Sequence, residues 1–175
     1  MTKNAMGACV LSSDQISEAV KRVAAQLNGQ FERAVVIVVV PGGIFFSADL
    51  LRQLNFDVMM DTISCPHTPG ERNNASPIVF HPNVPLDGED IILVDDAIES
   101  GGTMKRLVAH VRSHRAVKSV SVATLFVKPG RVDVGAQEYY GLAMQSDELL
   151  VGYGLPWAHK RRNLPYIARV ENTSE

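Results

Sequence analysis

Ile91-Ile92-Leu93-Val94-Asp95-Asp96-Ala97-Ile98-Glu99-Ser100-Gly101-Gly102-Thr103-Met104 is the stretch whose reading decides the fold of this 175-residue chain. Its four leading apolar residues do not alternate with polar ones, as expected of a strand buried on both faces of a helix-covered parallel sheet. The strand delivers two adjacent carboxylates and then a third acid to the rim of the sheet. Ser100-Gly101-Gly102-Thr103 then opens a helix, whose apolar stripe is Met104, Leu107, Val108 and Val111. Glycines let backbone approach an anion closely, helix-start N–H groups point at it, and the hydroxyls of Ser100 and Thr103 add donors. The result is a phosphate cradle. Acids beside a phosphate make sense if they accept hydrogen bonds from ribose hydroxyls or approach a Mg²⁺ carried by the phosphates. A plain helix start would account for one acid, or two, through the helix dipole. It would not account for two glycines in the first turn, which cost about 1 kcal/mol each relative to alanine.

Working outward, the same architecture repeats. Ala34-Val35-Val36-Ile37-Val38-Val39-Val40 is a second non-alternating strand, ended by Pro41-Gly42-Gly43, and a helix follows to about Leu54. Upstream, Ser12 and Gln15 form a capping box, and Ile16, Val20, Val23, Ala24 and Leu27 repeat at helical spacing. Asn28-Gly29 is the expected stop through a left-handed residue. Residues 1–10 read as a short, frayed start. Asp57–Ser64 and Ser119–Val127 read as further strands, with shorter ones at Tyr139–Leu142 and Leu149–Tyr153. Residues 65–77 hold three prolines and many polar residues, and their length suits a lid or binding loop. Strands alternating with helices imply right-handed crossovers and a mainly parallel sheet. In such sheets ligands bind beyond the carboxyl ends of the strands, where the loops 41–43, 95–103 and 128–131 begin.

Composition bounds the function. The chain is 46% hydrophobic and 21% charged, which suits one ordinary globular domain spanning 1–175. At this length roughly 70% of the unfolded surface can be buried without a disulfide or metal staple. A net charge of −2 argues against a broad basic face for nucleic acid. No segment reaches the 18 or so apolar residues a membrane span needs, and no secretory signal is seen. Two cysteines, Cys9 and Cys65, suit a reducing cytoplasm better than a disulfide framework. Cys65-x-His67 with His81 lacks the four ligands of a zinc site. His110 and His114 read as surface histidines, and Trp157 as core or interface.

The 91–104 segment resembles the 5-phosphoribosyl-1-pyrophosphate (PRPP) signature of type I phosphoribosyltransferases. Val151-Gly152-Tyr153-Gly154-Leu155 and Arg162-Asn163-Leu164-Pro165-Tyr166-Ile167 resemble the tail of bacterial hypoxanthine/guanine phosphoribosyltransferases. Val40-Pro41-Gly42-Gly43, with Phe45 and Ala48-Asp49-Leu50, sits where that family has its pyrophosphate loop, and Thr124-Leu125-Phe126-Val127-Lys128 where it has its purine-lysine strand. The resemblance covers about residues 10–170. It implies an α/β fold of the type I phosphoribosyltransferase kind: a mainly parallel central sheet flanked by helices, a lid at about 65–77 and a small C-terminal hood at about 138–170 that binds the purine.

By position the resemblance implies that Glu99, Ser100, Gly101, Gly102 and Thr103 hold the 5′-phosphate. Asp95 and Asp96 would bind the ribose hydroxyls with Mg²⁺. Glu99 would lie near purine N7 as general base. Lys128 would contact the 6-oxo group, Leu149 cover the ring and the Leu150 backbone meet the base edge. Arg162 and Pro41, Gly42 and Gly43 would hold pyrophosphate, with Val40–Pro41 cis. Lys128 read alone, at the end of a buried strand, would snorkel to solvent, and the run His159-Lys160-Arg161-Arg162 would be a solvated charge face.

The sequence departs from the family pattern at five places. Glu99 stands for an aspartate, Pro41 for a lysine, His67-Thr68 for a Ser-Tyr pair, Leu149 for a stacking aromatic and Pro156 for an acid. The expected activity is purine salvage: transfer of ribose 5-phosphate from PRPP to hypoxanthine or guanine, by a homo-oligomer such as a dimer or tetramer. The alternatives are a nucleotide-sensing regulatory protein and a xanthine-preferring transferase.

Overall fold

The computed structural model describes residues 5–66, 75–114 and 116–171. His67 and Thr68, and with them most of the expected lid at 65–77, lie outside the described residues. Among the described residues eleven elements follow one another: β1 (Ala5–Leu11), α1 (Ser13–Asn28), β2 (Arg33–Val40), α2 (Ile44–Leu51), β3 (Asp57–Ser64), β4 (Asp90–Ile98), α3 (Gly102–Ser113), β5 (Ser119–Val127), β6 (Gln137–Ala143), β7 (Leu150–Val151) and β8 (Ile167–Glu171).

The main sheet has the order β3-β2-β4-β5-β6, and every pair in it is parallel. The unbroken apolar runs find their reason here. In β2, Ala34, Val36 and Val38 enter the core under α1 and α2, while Val35, Ile37 and Val39 enter the core under α3. In β4, Ile92 and Val94 face the first core, and Ile91 and Leu93 the second. Alternate side chains leave a strand on opposite faces, so a strand covered twice has to be apolar at every position. Each such Val, Ile or Leu contributes roughly 1.5–3 kcal/mol by burial.

The helices seal the two faces. Ser12 accepts the Gln15 N–H, and the Gln15 side chain accepts the Ser12 N–H at 2.9 Å, completing the expected capping box of α1. Ile16, Ala19, Val20, Val23, Ala24 and Leu27 form its buried face, which lies over β5 and β6. On the other side Met104, Leu107, Val108 and Val111 of α3 are buried, as their spacing predicts.

Several expectations are corrected. Helix α1 does not end through a left-handed residue: Gly29 has φ −84°, and its N–H is taken by Ala25 O and Leu27 O. Helix α2 stops at Leu51 rather than near Leu54. The strand expected at 91–94 runs on to Ile98, so Asp95 and Asp96 sit in the strand itself and not in the following loop. The strand expected at Leu149–Tyr153 is only Leu150–Val151. The supposedly frayed start holds β1, which pairs antiparallel with β8, and β7 pairs with the other edge of β8. This second, three-stranded sheet, β1-β8-β7, stands apart from the main one. Of residues 138–170, expected as a hood, Gln137–Ala143 instead joins the main sheet as an edge strand parallel to β5. The Ser13 hydroxyl donates to Pro165 O at 2.8 Å and ties the small sheet to the start of α1. His110 and His114 are not free surface histidines; both are half-buried and edge-on to Phe80.

Candidate active site

A cavity of about 670 Å³ opens at the carboxyl ends of β2, β4 and β5, and Asp147, Leu149, Leu150, Leu155, Pro156 and Arg162 close its other side. Of the site residues expected from the sequence, all but Gly43 line it. Gly43 is buried behind the wall. Its N–H donates to Val39 O at 2.8 Å, and a Cβ there would lie 2.7 Å from Val94 O. Its role is to let the start of α2 pack on β2 and β4. The Val40–Pro41 peptide is cis.

The segment expected to cradle phosphate is built around Gly101, the residue capping α3, which has φ +85°. Only glycine adopts that conformation without cost. The position also admits no side chain, since a Cβ would meet Val132 O at 2.7 Å. Two backbone bonds clamp the cradle to the neighbouring loop: Val132 N–H to Ser100 O and Lys128 N–H to Ile98 O, both 2.9 Å. The end of β4 and the loop after β5 are therefore joined in one hydrogen-bonded unit. The open N-terminus of α3 faces the cavity from this unit and adds the positive end of the helix dipole.

Asp95 and Asp96 lie side by side at the cavity wall. The Asp96 N–H donates to Asp95 Oδ1 at 2.9 Å. Burial, and after it the charge of Asp96, hold the Asp95 carboxyl well above the usual carboxylate range, while the Arg162 guanidinium opposes them. Burial also pushes Asp96 up to about 6; the charge of Glu99 adds to this, while a hydrogen bond with Asp95 and the charge of Arg162 oppose it. Gly42 lies between the two carboxylates, where a Cβ would come 3.1 Å from Asp95 Oδ1 and 3.0 Å from Asp96 Oδ2. Adjacent oxygen donors that share a buried site with too little positive charge suit a hard cation. Mg²⁺ is commonly held this way, by one or two carboxylates plus substrate phosphates. Among the described residues no group of three or more His, Cys, Asp or Glu forms a metal cage.

Lys128 does not snorkel to solvent. It is 2% exposed. Its ammonium donates to Glu148 O at 2.8 Å and pairs with Glu99 Oε1 at 3.4 Å and Asp147 Oδ1 at 3.7 Å. A buried ammonium needs such partners. Glu99 thus leans from the end of the cradle toward the lysine. Leu149 is half-buried at the cavity wall, and its carbonyl is taken by the Val170 N–H at 2.9 Å. Leu150 is buried and also lines the cavity. Arg162 is half-buried and reaches inward to donate to Gly154 O, whereas His159, Lys160 and Arg161 stay exposed as a solvated run.

Three lining or supporting residues were not singled out by sequence. Asp147 had no local signal. Val132 is an exposed apolar residue in a loop. Gly154 stood only inside a quoted tail motif, and its reason is steric: φ is +105°, and a Cβ would strike Gly42 O and lie 2.9 Å from Asp96 Oδ2.

The phosphoribosyl transferase domain model matches residues 10–155. The chain is 31% identical to a hypoxanthine-guanine phosphoribosyltransferase of Bacillus subtilis, with 95% of this chain and 94% of that one covered. It is 30% identical to the bifunctional protein TilS/HprT of Listeria innocua, of which it spans only 25% while 90% of this chain is covered. The crystal structure of a hypoxanthine-guanine phosphoribosyltransferase (hpt-2) from Bacillus anthracis, with HEPES in the active site, superposes with a TM-score of 0.83. That match is 37% identical and covers 95% of this chain and 98% of that one.

Proposed function

The chain belongs to the phosphoribosyl transferase domain family, and on that premise we propose that it is a purine-salvage hypoxanthine/guanine phosphoribosyltransferase. It joins the base to the ribose 5-phosphate of PRPP and releases pyrophosphate. The observation that carries this reading is the meeting of Lys128 and Glu99, 3.4 Å apart, at the mouth of the Gly101 cradle. A donor for a base and an acceptor for its proton stand next to a phosphate site. The names of the relatives, hypoxanthine-guanine phosphoribosyltransferases from Bacillus and Streptococcus, support the same substrates.

In this reading the C1′–O bond to pyrophosphate breaks, purine N9 bonds to C1′ from the opposite face, and the purine N7 proton passes to the Glu99 carboxylate. Positive charge develops on the ribose ring as pyrophosphate departs. Asp95 and Asp96 orient the ribose hydroxyls, the 100–103 cradle holds the 5′-phosphate, and Arg162 with Gly42 faces the leaving pyrophosphate. Lys128 donates to the 6-oxo group, while Leu149 covers the ring. Positioning and preorganised charge supply most of the effect. Asp95 and Asp96 would also hold Mg²⁺, which supplies further positive charge against the pyrophosphate.

The reading extends to a homo-oligomer, a dimer or tetramer, for which exposed Ile44, Phe45 and Met60 offer apolar surface. It also extends to a cytoplasmic setting, which suits a chain with only two cysteines, Cys9 and Cys65. No helix among the described residues is long and apolar enough to cross a membrane.

The test is pyrophosphate release with PRPP, Mg²⁺ and a panel of hypoxanthine, guanine, xanthine and adenine. Turnover with a 6-oxopurine and not adenine is expected, because Lys128 donates to an oxo group and repels an amino donor. Equal turnover with adenine would sink the assignment. Saturable PRPP binding with no turnover of any base would favour a nucleotide sensor instead, and xanthine turning over best would favour a xanthine-preferring transferase.

A further inference from the structure

The pyrophosphate side of the cavity is held by a contact remote from the substrates. The Tyr153 phenol donates to Asp49 Oδ2 at 2.6 Å, across 104 residues of chain. Asp49 belongs to α2, the helix that begins directly after Gly43. Tyr153 precedes Gly154, whose missing side chain leaves room for Gly42 O and Asp96 Oδ2. The Gly154 N–H donates to Arg162 O at 2.9 Å, and the Arg162 guanidinium donates back to Gly154 O. The three groups on this side, the Gly42 loop, Asp96 and Arg162, therefore meet at one glycine, and the position of that glycine is set by Tyr153. Tyr153 is itself held at φ +48°. A side chain in this left-handed region persists only where its surroundings over-determine it. Its ring is buried in the core under α1 and α2, and its N–H is taken by Leu164 O at 3.0 Å. Burial, then the neighbouring Asp49 carboxylate, push the phenol far above its usual range, so it remains the donor.

We infer that Tyr153 and Asp49 are positioning residues that lock the Gly42 loop and Arg162 in register to receive pyrophosphate. The inference rests on the phosphoribosyltransferase reading of the site. It assigns specificity within that site, because the lock bears on the pyrophosphate side, while the bonds of Tyr153 and Asp49 run to each other, to Leu164 and to Arg52 rather than to Lys128 or Leu149, where the base would lie.

The experiment compares the wild-type chain with Tyr153→Phe, Asp49→Ala and Asp49→Asn. Calorimetry with inorganic pyrophosphate and Mg²⁺ gives affinity without turnover. Steady-state kinetics give KM for PRPP and for hypoxanthine separately. Losing a bond from a neutral donor to a carboxylate should weaken pyrophosphate binding and raise the PRPP KM roughly 10-fold in Tyr153→Phe and Asp49→Ala. The hypoxanthine KM should stay within about 2-fold, since its contacts are elsewhere. Asp49→Asn keeps an accepting carbonyl and should restore most of the affinity. The double variant Tyr153→Phe/Asp49→Ala should be no worse than either single one.

A fall in melting temperature with unchanged pyrophosphate affinity would overturn the inference, because the bond would then serve the fold alone. Equal weakening of both substrates, or Asn as damaging as Ala at position 49, would overturn it too. If wild type binds pyrophosphate but turns over no base, the salvage reading fails and the variant affinities still decide the lock. If wild type binds no pyrophosphate, both fall.

Discussion

Replacing Gly101 by alanine tests whether the cradle is a shaped backbone or merely a helix start. Alanine at φ +85° pays the left-handed penalty, roughly 1–2 kcal/mol. Its Cβ would also lie 2.7 Å from Val132 O, which is backbone and cannot rotate aside. The 128–132 loop would have to retreat, losing the 2.9 Å bond from Val132 N–H to Ser100 O, worth about 1 kcal/mol. Together these give about 2–3 kcal/mol. Gly88 is the control, because it has φ +75° and nothing within 4 Å of where a methyl group would stand. Gly88→Ala should therefore show the backbone penalty alone, about 1–2 kcal/mol. Urea unfolding reads the difference directly. In a domain of this size each kcal/mol lowers the melting temperature by about 2–4 °C, so Gly101→Ala should fall by roughly 4–12 °C. Because the loop that moves also carries Lys128, the KM for PRPP and for the base should rise in Gly101→Ala and not in Gly88→Ala. Equal destabilisation of the two variants, with PRPP binding intact in both, would refute the steric argument.

Three further outcomes are expected. Lys128→Met should lower kcat/KM for hypoxanthine by roughly 10–100-fold, the worth of a charged hydrogen bond, with the PRPP KM within about 2-fold; unaltered base kinetics would mean that the base edge is read elsewhere. Glu99→Gln keeps the shape and loses the basicity, so single-turnover rates should drop about 10²–10⁴-fold while PRPP affinity holds; an unchanged rate would remove Glu99 from proton transfer. Asp61 gives a pH signature: burial raises its carboxyl, but bonds from the Asn83 backbone and side chain and from the Thr62 N–H outweigh this and hold it below the usual range. A lowered folded pKa stabilises above the unfolded value of about 3.9 and is lost as pH falls through the folded one. The gap in melting temperature between wild type and Asp61→Asn should narrow below about pH 4, and parallel curves down to about pH 2.5 would contradict the assignment.

The reading from sequence succeeded where the physics is local. A run such as Ala34–Val40 has to be apolar on both faces, and that pattern is visible without coordinates. The capping box at Ser12 and Gln15 involves residues three apart. The 91–104 segment joins a strand, its acids and a glycine-rich helix start in consecutive positions, so this wall of the cavity was legible residue by residue. The family resemblance then ordered the remaining parts along the chain, and the named site residues all line the cavity except Gly43, a packing glycine. What the sequence concealed depends on partners far away in the chain. β1 has no marked periodicity and becomes a strand because β8, more than 150 residues later, offers it an edge. Lys128 read without the family resemblance looked like a residue that reaches solvent, and it is buried because Glu99, Asp147 and the Glu148 carbonyl surround its ammonium. The Tyr153–Asp49 bond and the packing of Gly154 on Gly42 leave no trace in spacing or composition. Burial of a charge and the closeness of two backbones are settled only when separate elements pack, and there the tertiary structure decided what each residue does.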